Sequence, residues 1–300
     1  MTAPNSIRCM ATVGDVCGEG AVWHAAHDAI YWTDINRGLL HRYRLATTHV
    51  KTWHFDQPVT ALALTSDPDK LLVLLGGAVL LWNPDEDQRD SVLYRLPSWP
   101  SVRCNDAQVD PAGVLWFGTM ENNIAHDGST RPVTRYLGEL LSLNAYGKIQ
   151  QWQNEVGISN TIAWTPQGDS MLFGDTLRNT IYSFDYDSDT QEVSRRRIFC
   201  TGFNRGLPDG SAMDVDGYLW NCRYGGGCIV RFAPDGSIDR IIEVPIPNPT
   251  TCVFGGPDLK TLYFTSAGEG VQTAGPEDGG LFSMETTVAG LPATSFRLKS

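Results

Sequence analysis

Three short stretches far apart in the chain each place one oxygen-bearing side chain just ahead of an aromatic-rich run: Gly18-Glu19-Gly20, Ser159-Asn160-Thr161 and Pro208-Asp209-Gly210. Counted back from the second apolar or aromatic residue of each run, Glu19 lies 13 residues before Trp32, Asn160 13 before Phe173 and Thr251 13 before Phe264. Asn105 and Asp209 lie 11 before Trp116 and Trp220. A shared offset means a shared place in a repeated unit, and a changed turn length accounts for the two-residue difference. If the first strand of each unit lines a central channel, these five residues form a ring of two carboxylates, two amides and a hydroxyl. An all-oxygen ring suits a hard divalent cation such as Ca²⁺, Mg²⁺ or Mn²⁺, while metal availability keeps Zn²⁺ and Fe(II) open. Each residue also has a plainer reading. Pro208-Asp209-Gly210 could be only a turn, as Pro234-Asp235-Gly236 is expected to be, and Glu19 and Asn160 could be loop residues. The common register favours the metal reading; Thr251 is expected to be structural.

The elements that must position these residues are short strands. Long stripes of 3.6-residue period are absent; what recurs is a turn, an alternating apolar and aromatic run, and a small or polar stop. Six such units can be written out. They centre on Ala29-Ile30-Tyr31-Trp32, Leu71-Leu72-Val73-Leu74, Val114-Leu115-Trp116-Phe117, Met171-Leu172-Phe173, Tyr218-Leu219-Trp220 and Thr261-Leu262-Tyr263-Phe264. Six units in 300 residues give about 50 residues each, the size of a four-stranded propeller blade. A sandwich has no reason to repeat six times, whereas a ring of blades buries each sheet face on its neighbour. The expectation is an all-β, six-bladed β-propeller forming a single domain over residues 1–300. The second unit is the least regular, and the long polar stretch from Met120 to Gly138 is expected to loop over one end of the channel.

Composition bounds the partners. A net charge of −11 argues against nucleic acid, which needs a cationic footprint. No apolar run approaches the ~20 residues of a membrane helix, and Met1 to Gly14 holds none that could serve as a signal peptide. Seven cysteines, none spaced C-x-x-C, are expected to be reduced and mostly buried. These features together point to the cytoplasm. No G-x-S-x-G elbow, phosphate-binding loop or H-E-x-x-H pattern is present. His24 and His27 are read as a solvated turn rather than a zinc site.

At these residues the chain resembles the senescence marker protein/gluconolactonase/luciferin-regenerating (regucalcin-like) family over nearly its whole length. The resemblance is carried by Gly18-Glu19-Gly20-Ala21-Val22-Trp23, Arg103-Cys104-Asn105-Asp106, Trp116-Phe117-Gly118-Thr119-Met120, Gly157-Ile158-Ser159-Asn160, Pro208-Asp209-Gly210 and Phe254-Gly255-Gly256-Pro257-Asp258. It implies one divalent metal held by Glu19, Asn160 and Asp209, and a sugar lactone contacted by Arg103, Asn105 and Glu121. Two positions depart from the family pattern: Ala21 where proline is usual and Thr161 where glycine is usual.

The implied chemistry is metal-dependent hydrolysis of an aldonolactone to the aldonic acid, a carboxylic-ester hydrolysis. A cation can polarise the carbonyl and activate water, with Asp209 as the candidate general base. Arg103 offers a planar fork of donors, Asn105 can both donate and accept, and Glu121 can accept from hydroxyls. Two alternatives compete: a calcium-binding regulatory or scaffold propeller without hydrolase activity, and a hydrolase of another ester on the same frame. Retention of Arg103, Asn105 and Glu121 favours the lactonase, because a scaffold needs no polyol pocket.

Overall fold

In the computed structural model, which describes residues 6–271 and 275–299, six four-stranded antiparallel sheets stand around a central channel. The chain is a six-bladed β-propeller. Blades one to five are built from consecutive strands, spanning residues 18–54, 59–95, 102–156, 159–201 and 207–243. The innermost strands, each first in its blade, are Gly18–His24, Val59–Leu64, Val102–Val109, Ser159–Trp164, Leu207–Met213 and Pro249–Gly255. Blade six combines three strands from residues 249–285 with the N-terminal strand Arg8–Ala11, which pairs with Leu281–Glu285 as its outer edge. The ring is therefore closed by the two ends of the chain.

Each sequence unit coincides with the second strand of a blade, which is buried on both faces. Ala29–Asp34 and Leu71–Leu75 are buried at every position, which is why they read as continuous rather than alternating apolar runs. The outer strand Glu192–Thr201 is almost entirely exposed and carries four charged residues. Blade two is as regular as the others, its four strands pairing from Val59–Leu64 out to Gln88–Arg95.

Two turns are pinned by one local device. In Asp110-x-x-Gly-x-x-Trp116 and Asp214-x-x-Gly-x-x-Trp220, the aspartate Oδ1 accepts the amide four residues on, and Oδ2 accepts the indole N–H six residues on, at 2.8 and 2.9 Å. A buried carboxylate and a buried indole thus satisfy each other. The far end of the channel is closed by the C-terminal tail. Its backbone hydrogen-bonds blade five at Met213, blade two at Leu64 and blade three at Gly113, and Phe296 seats in the core between blades two and three. Among the described residues no helix is long and apolar enough to cross a membrane; the helical pieces are two three-residue 3-10 turns.

Candidate functional site

The site is built where the inner strands start down the channel, and all six are bulged at that level. A bulge inserts an unpaired residue and re-aims its side chain. Glu19 and Asn160 hold the last paired positions, opposite Thr33 and Gly174, before their bulges. Asn105 and Asp209 are the first unpaired residues of theirs, and Thr251 the second. The offsets of 13 and 11 thus mark one level of the channel without marking one strand position.

Glu19 and Asp209 meet there and share a hydrogen bond. Their other partners are the backbone amides of Gly20, 3.0 Å from Glu19 Oε2, and of Gly210. Burial, followed by repulsion from Asp209 and then Asp106, pushes Glu19 well above the usual carboxylate range. Burial and then Asp106 raise Asp209 to about 8. Asp106 is itself raised to about 7 by burial, against the amides of Ala107, Ile162 and Thr161. Adjacent buried carboxylates favour ionisation only when a cation sits among them. A half-buried carboxylate, a buried one and a buried amide oxygen, with no salt bridge to either carboxylate among the described residues, fit a hard divalent ion. Among the described residues no three His, Cys, Asp or Glu side chains gather at one point to hold a metal; the expected third ligand, Asn160, is an amide.

Arg103 and Asn105 join this group through a directed chain. Arg103 Nη1 donates to Asn105 Oδ1 at 2.6 Å, and Asn105 Nδ2 donates to Asn160 Oδ1 at 3.2 Å. Asn160 Nδ2 donates to Thr176 Oγ1 at 2.9 Å, and Thr176 donates to the Pro208 carbonyl at 2.8 Å. With its Nδ2 on Thr176 and its Oδ1 accepting from Asn105, the Asn160 amide is fixed in orientation and its oxygen keeps a free lone pair. Arg103 is buried and makes no ion pair among the described residues; its fork is held by Asn123 Oδ1 at 2.9 and 3.0 Å. Burial lowers its pKa to about 10, which still leaves it charged at neutral pH. Asp106 turns into the channel and makes no salt bridge with it.

Glu121 stands apart from these residues. Its carboxylate accepts the amides of Thr134 and Arg135, each at 2.9 Å, and pairs with Arg135 at 2.6 Å. It therefore holds down the far side of the 120–138 loop. The loop crosses the mouth of the channel, as expected: Asn36 of blade one donates to its Gly128 carbonyl and Thr130 hydroxyl. Thr251 is buried and lines the channel against Gly210. There the channel widens to a cavity of about 330 Å³ bounded by Gly20, Ala21, Asp106, Ser211 and the tail residues Leu291 to Thr294.

Thr161, where the family resemblance leads one to expect glycine, adopts a left-handed φ of 52°. The equivalent bulge residue of blade one is Gly20, with φ 59°, where a Cβ would press against Ala61 at 2.9 Å. In blade four a side chain fits, and its hydroxyl donates to the Asp209 carbonyl at 2.5 Å. The departure ties a candidate ligand strand to its neighbour. Ala21, the other departure, is unpaired in the blade-one bulge, where an imino acid would also be tolerated.

The histidine pair is packed rather than solvated. His24 is buried, its ring stacks on His27 at 3.8 Å, and His27 Nδ1 bonds the Tyr31 hydroxyl at 2.7 Å. All seven cysteines are free; four are buried and three half-buried.

Sequence reasoning missed Asn123, Thr176, Tyr224 and Glu269. A repeated Asp-x-x-Arg turn after two second strands, Asp34 to Arg37 and Asp175 to Arg178, could have located the mouth. Asp34 accepts the amides of Val16 and Cys17, and Asp175 those of Gly157 and Ile158. Both carboxylates thus anchor the chain two residues ahead of Glu19 and Asn160.

Comparison with known proteins agrees with this architecture. The SMP-30/gluconolactonase/LRE-like region matches residues 17–268. A pentonolactonase of Haloferax volcanii is 34% identical over 92% of each chain, and a 6-deoxy-6-sulfogluconolactonase of Pseudomonas putida is 32% identical over 88% of each. The solved structure of a calcium-binding protein, regucalcin, from Agrobacterium tumefaciens superposes with a TM-score of 0.89 at 29% identity, covering 98% of both chains. The chain belongs to the SMP-30/gluconolactonase/LRE-like family.

Proposed function

We propose that this protein is a carboxylic-ester hydrolase that opens a sugar lactone to its aldonic acid, using one divalent cation held by Glu19, Asn160 and Asp209. The observation that carries the reading is a channel carboxylate pair with no salt bridge among the described residues, at the level where the Asn160 amide is linked by hydrogen bonds to a buried guanidinium. The names of two lactonase relatives add to it. A bound divalent ion supplies Lewis acidity toward a carbonyl oxygen and lowers the pKa of water.

The chain's own residues do the rest. Arg103, pre-set by Asn105 and Asn123, presents donors toward the lactone and opposes the charge that grows on its oxygen. Asn105 reads a hydroxyl. Asp209 accepts a proton from the attacking water as the carbon–oxygen bond forms and returns it to the ring oxygen as the acyl–oxygen bond breaks, giving the open hydroxy acid. Glu121 contributes by setting the loop over the pocket, because its carboxylate is already occupied by Thr134 and Arg135. No transmembrane helix, nucleic-acid footprint or macromolecular partner enters this reading; the cytoplasm remains its expected place.

The test is acid release in a pH-stat from five- and six-carbon aldonolactones, using wild type, Asp209→Ala and Arg103→Ala loaded with Ca²⁺ or Mn²⁺. Asp209→Ala is expected to lose activity by at least about a hundredfold. Arg103→Ala is expected to lose kcat/KM on a similar scale while still binding metal. Metal binding by wild type with no lactone opened faster than in buffer would favour the calcium-binding scaffold instead.

A further inference from the structure

The carboxylate of Glu269 stands at the channel mouth, tied to the loop that covers it. Its backbone is stapled beside the glutamate-bearing strand: Glu269 N donates to Val16 O at 3.1 Å, and Asn248 Nδ2 donates to Glu269 O at 3.0 Å. Its carboxylate accepts from Thr130 Oγ1 at the tip of the covering loop and from the Tyr224 hydroxyl. Asn36 donates to Thr130 Oγ1 at 2.8 Å, which leaves the threonine proton to point at Glu269. The carboxylate is thereby oriented from two sides, with acceptor capacity left over. Thr130 belongs to the loop that crosses the mouth and Val16 leads into the strand that carries Glu19, so the half-buried carboxylate stands at the mouth beneath that loop.

Among the described residues, most other arginines of this face are already paired with carboxylates. Arg37 is paired with Asp15 and Asp34, Arg135 with Glu121, Arg178 with Asp175 and Arg205 with Glu243. Arg223 is buried and donates to Asn179 and to the carbonyls of Phe203 and Gly206. Arg131 donates to the carbonyls of Asn122 and Ile124 in its own loop. With a divalent ion on Glu19 and Asp209, Glu269 is left as a carboxylate at the mouth with no salt bridge among the described residues.

Resting on the lactone reading above, we propose that Glu269 is a specificity-determining residue. Set by Thr130 and Tyr224, it accepts hydrogen bonds from the hydroxyls of uncharged aldonolactones and rejects lactones that carry an anionic substituent. A phosphate or sulfonate placed on the Glu269 side of this site would meet a fixed carboxylate there instead of a hydrogen-bond acceptor it could satisfy. Such a like-charge juxtaposition opposes binding strongly.

The experiment compares kcat/KM for glucono-δ-lactone and for its 6-phosphate ester in wild type, Glu269→Gln and Thr130→Val, each metal-loaded. Wild type is expected to favour the neutral lactone by at least about tenfold, and Glu269→Gln to narrow that preference by about tenfold or more, the scale of one charge-assisted contact. Thr130→Val keeps the carboxylate and is expected to keep the preference. Three results overturn the inference alone: wild-type preference for the phosphate ester, an unchanged ratio in Glu269→Gln, or equal losses on both substrates in both variants, which would make Glu269 only a latch for the loop. Failure of wild type to open either lactone would remove the lactone reading and this inference with it.

Discussion

Thr161 shows how one residue can carry opposing terms. A β-branched side chain at φ 52° is disfavoured by about 1–2 kcal/mol. Its hydroxyl offsets this by donating to the Asp209 carbonyl and accepting from Asn221 Nδ2, in a place with no exposure to water; losing buried bonds of this kind costs about 1–3 kcal/mol. Thr161→Gly removes both the strain and the bonds, so its unfolding free energy is expected to stay within about 1 kcal/mol of wild type. Thr161→Val keeps the strain and loses the bonds, and is expected to cost about 2 kcal/mol. Urea unfolding of both variants checks this ordering. Valine tolerated as well as glycine would mean that the hydroxyl contributes nothing.

Among the elements, the 120–138 loop owes its position to three polar ties, at Asn36, Glu269 and Glu121. The Thr134 amide, reinforced by the Arg135 side chain and amide, holds the Glu121 carboxyl down at about 2. A carboxyl depressed in the folded protein stabilises it fully above the unfolded value near 4.5 and loses that effect as pH falls toward about 2. Amide exchange across residues 131–137 is therefore expected to speed up as pH drops through that window, after correction for intrinsic rates. Glu121→Gln should exchange about tenfold faster already at pH 7; equal protection in the two proteins would refute the latch. This tie also marks where sequence reading fell short. The six second strands were legible because burial on both faces leaves unbroken apolar runs such as Leu71 to Leu75. The bulges were not legible, since pairing registers cannot be counted from one strand alone. For that reason residues at offsets 13 and 11 reach the same level from different positions. Glu121 illustrates the same limit: side-chain type fits a pocket acceptor, but the tertiary position of Thr134 and Arg135 decides where the carboxylate points.

At the scale of the whole molecule, the propeller brings together residues as distant as Glu19, Asn160 and Asp209 by placing blades one, four and five around one axis. The closing devices lie at the ends of the chain. Arg8–Ala11 completes blade six, and the tail through Phe296 seals the lower channel; neither carries a repeat signature, so neither stood out in the sequence. The tail narrows one end of the channel and the 120–138 loop covers the other, and the candidate site is one binding place per chain. On the proposed reading a single divalent charge would neutralise Glu19 and Asp209 together. The most direct measurement is acid release from an aldonolactone during stepwise addition of Ca²⁺ or Mn²⁺ to metal-stripped protein, with bound metal counted in the same samples. Activity is expected to start near the spontaneous rate, rise in proportion to bound metal and level off at about one ion per chain, with Asp209→Ala flat throughout. Full activity in the stripped protein, or saturation with metal that leaves the rate at the spontaneous value, would contradict the account.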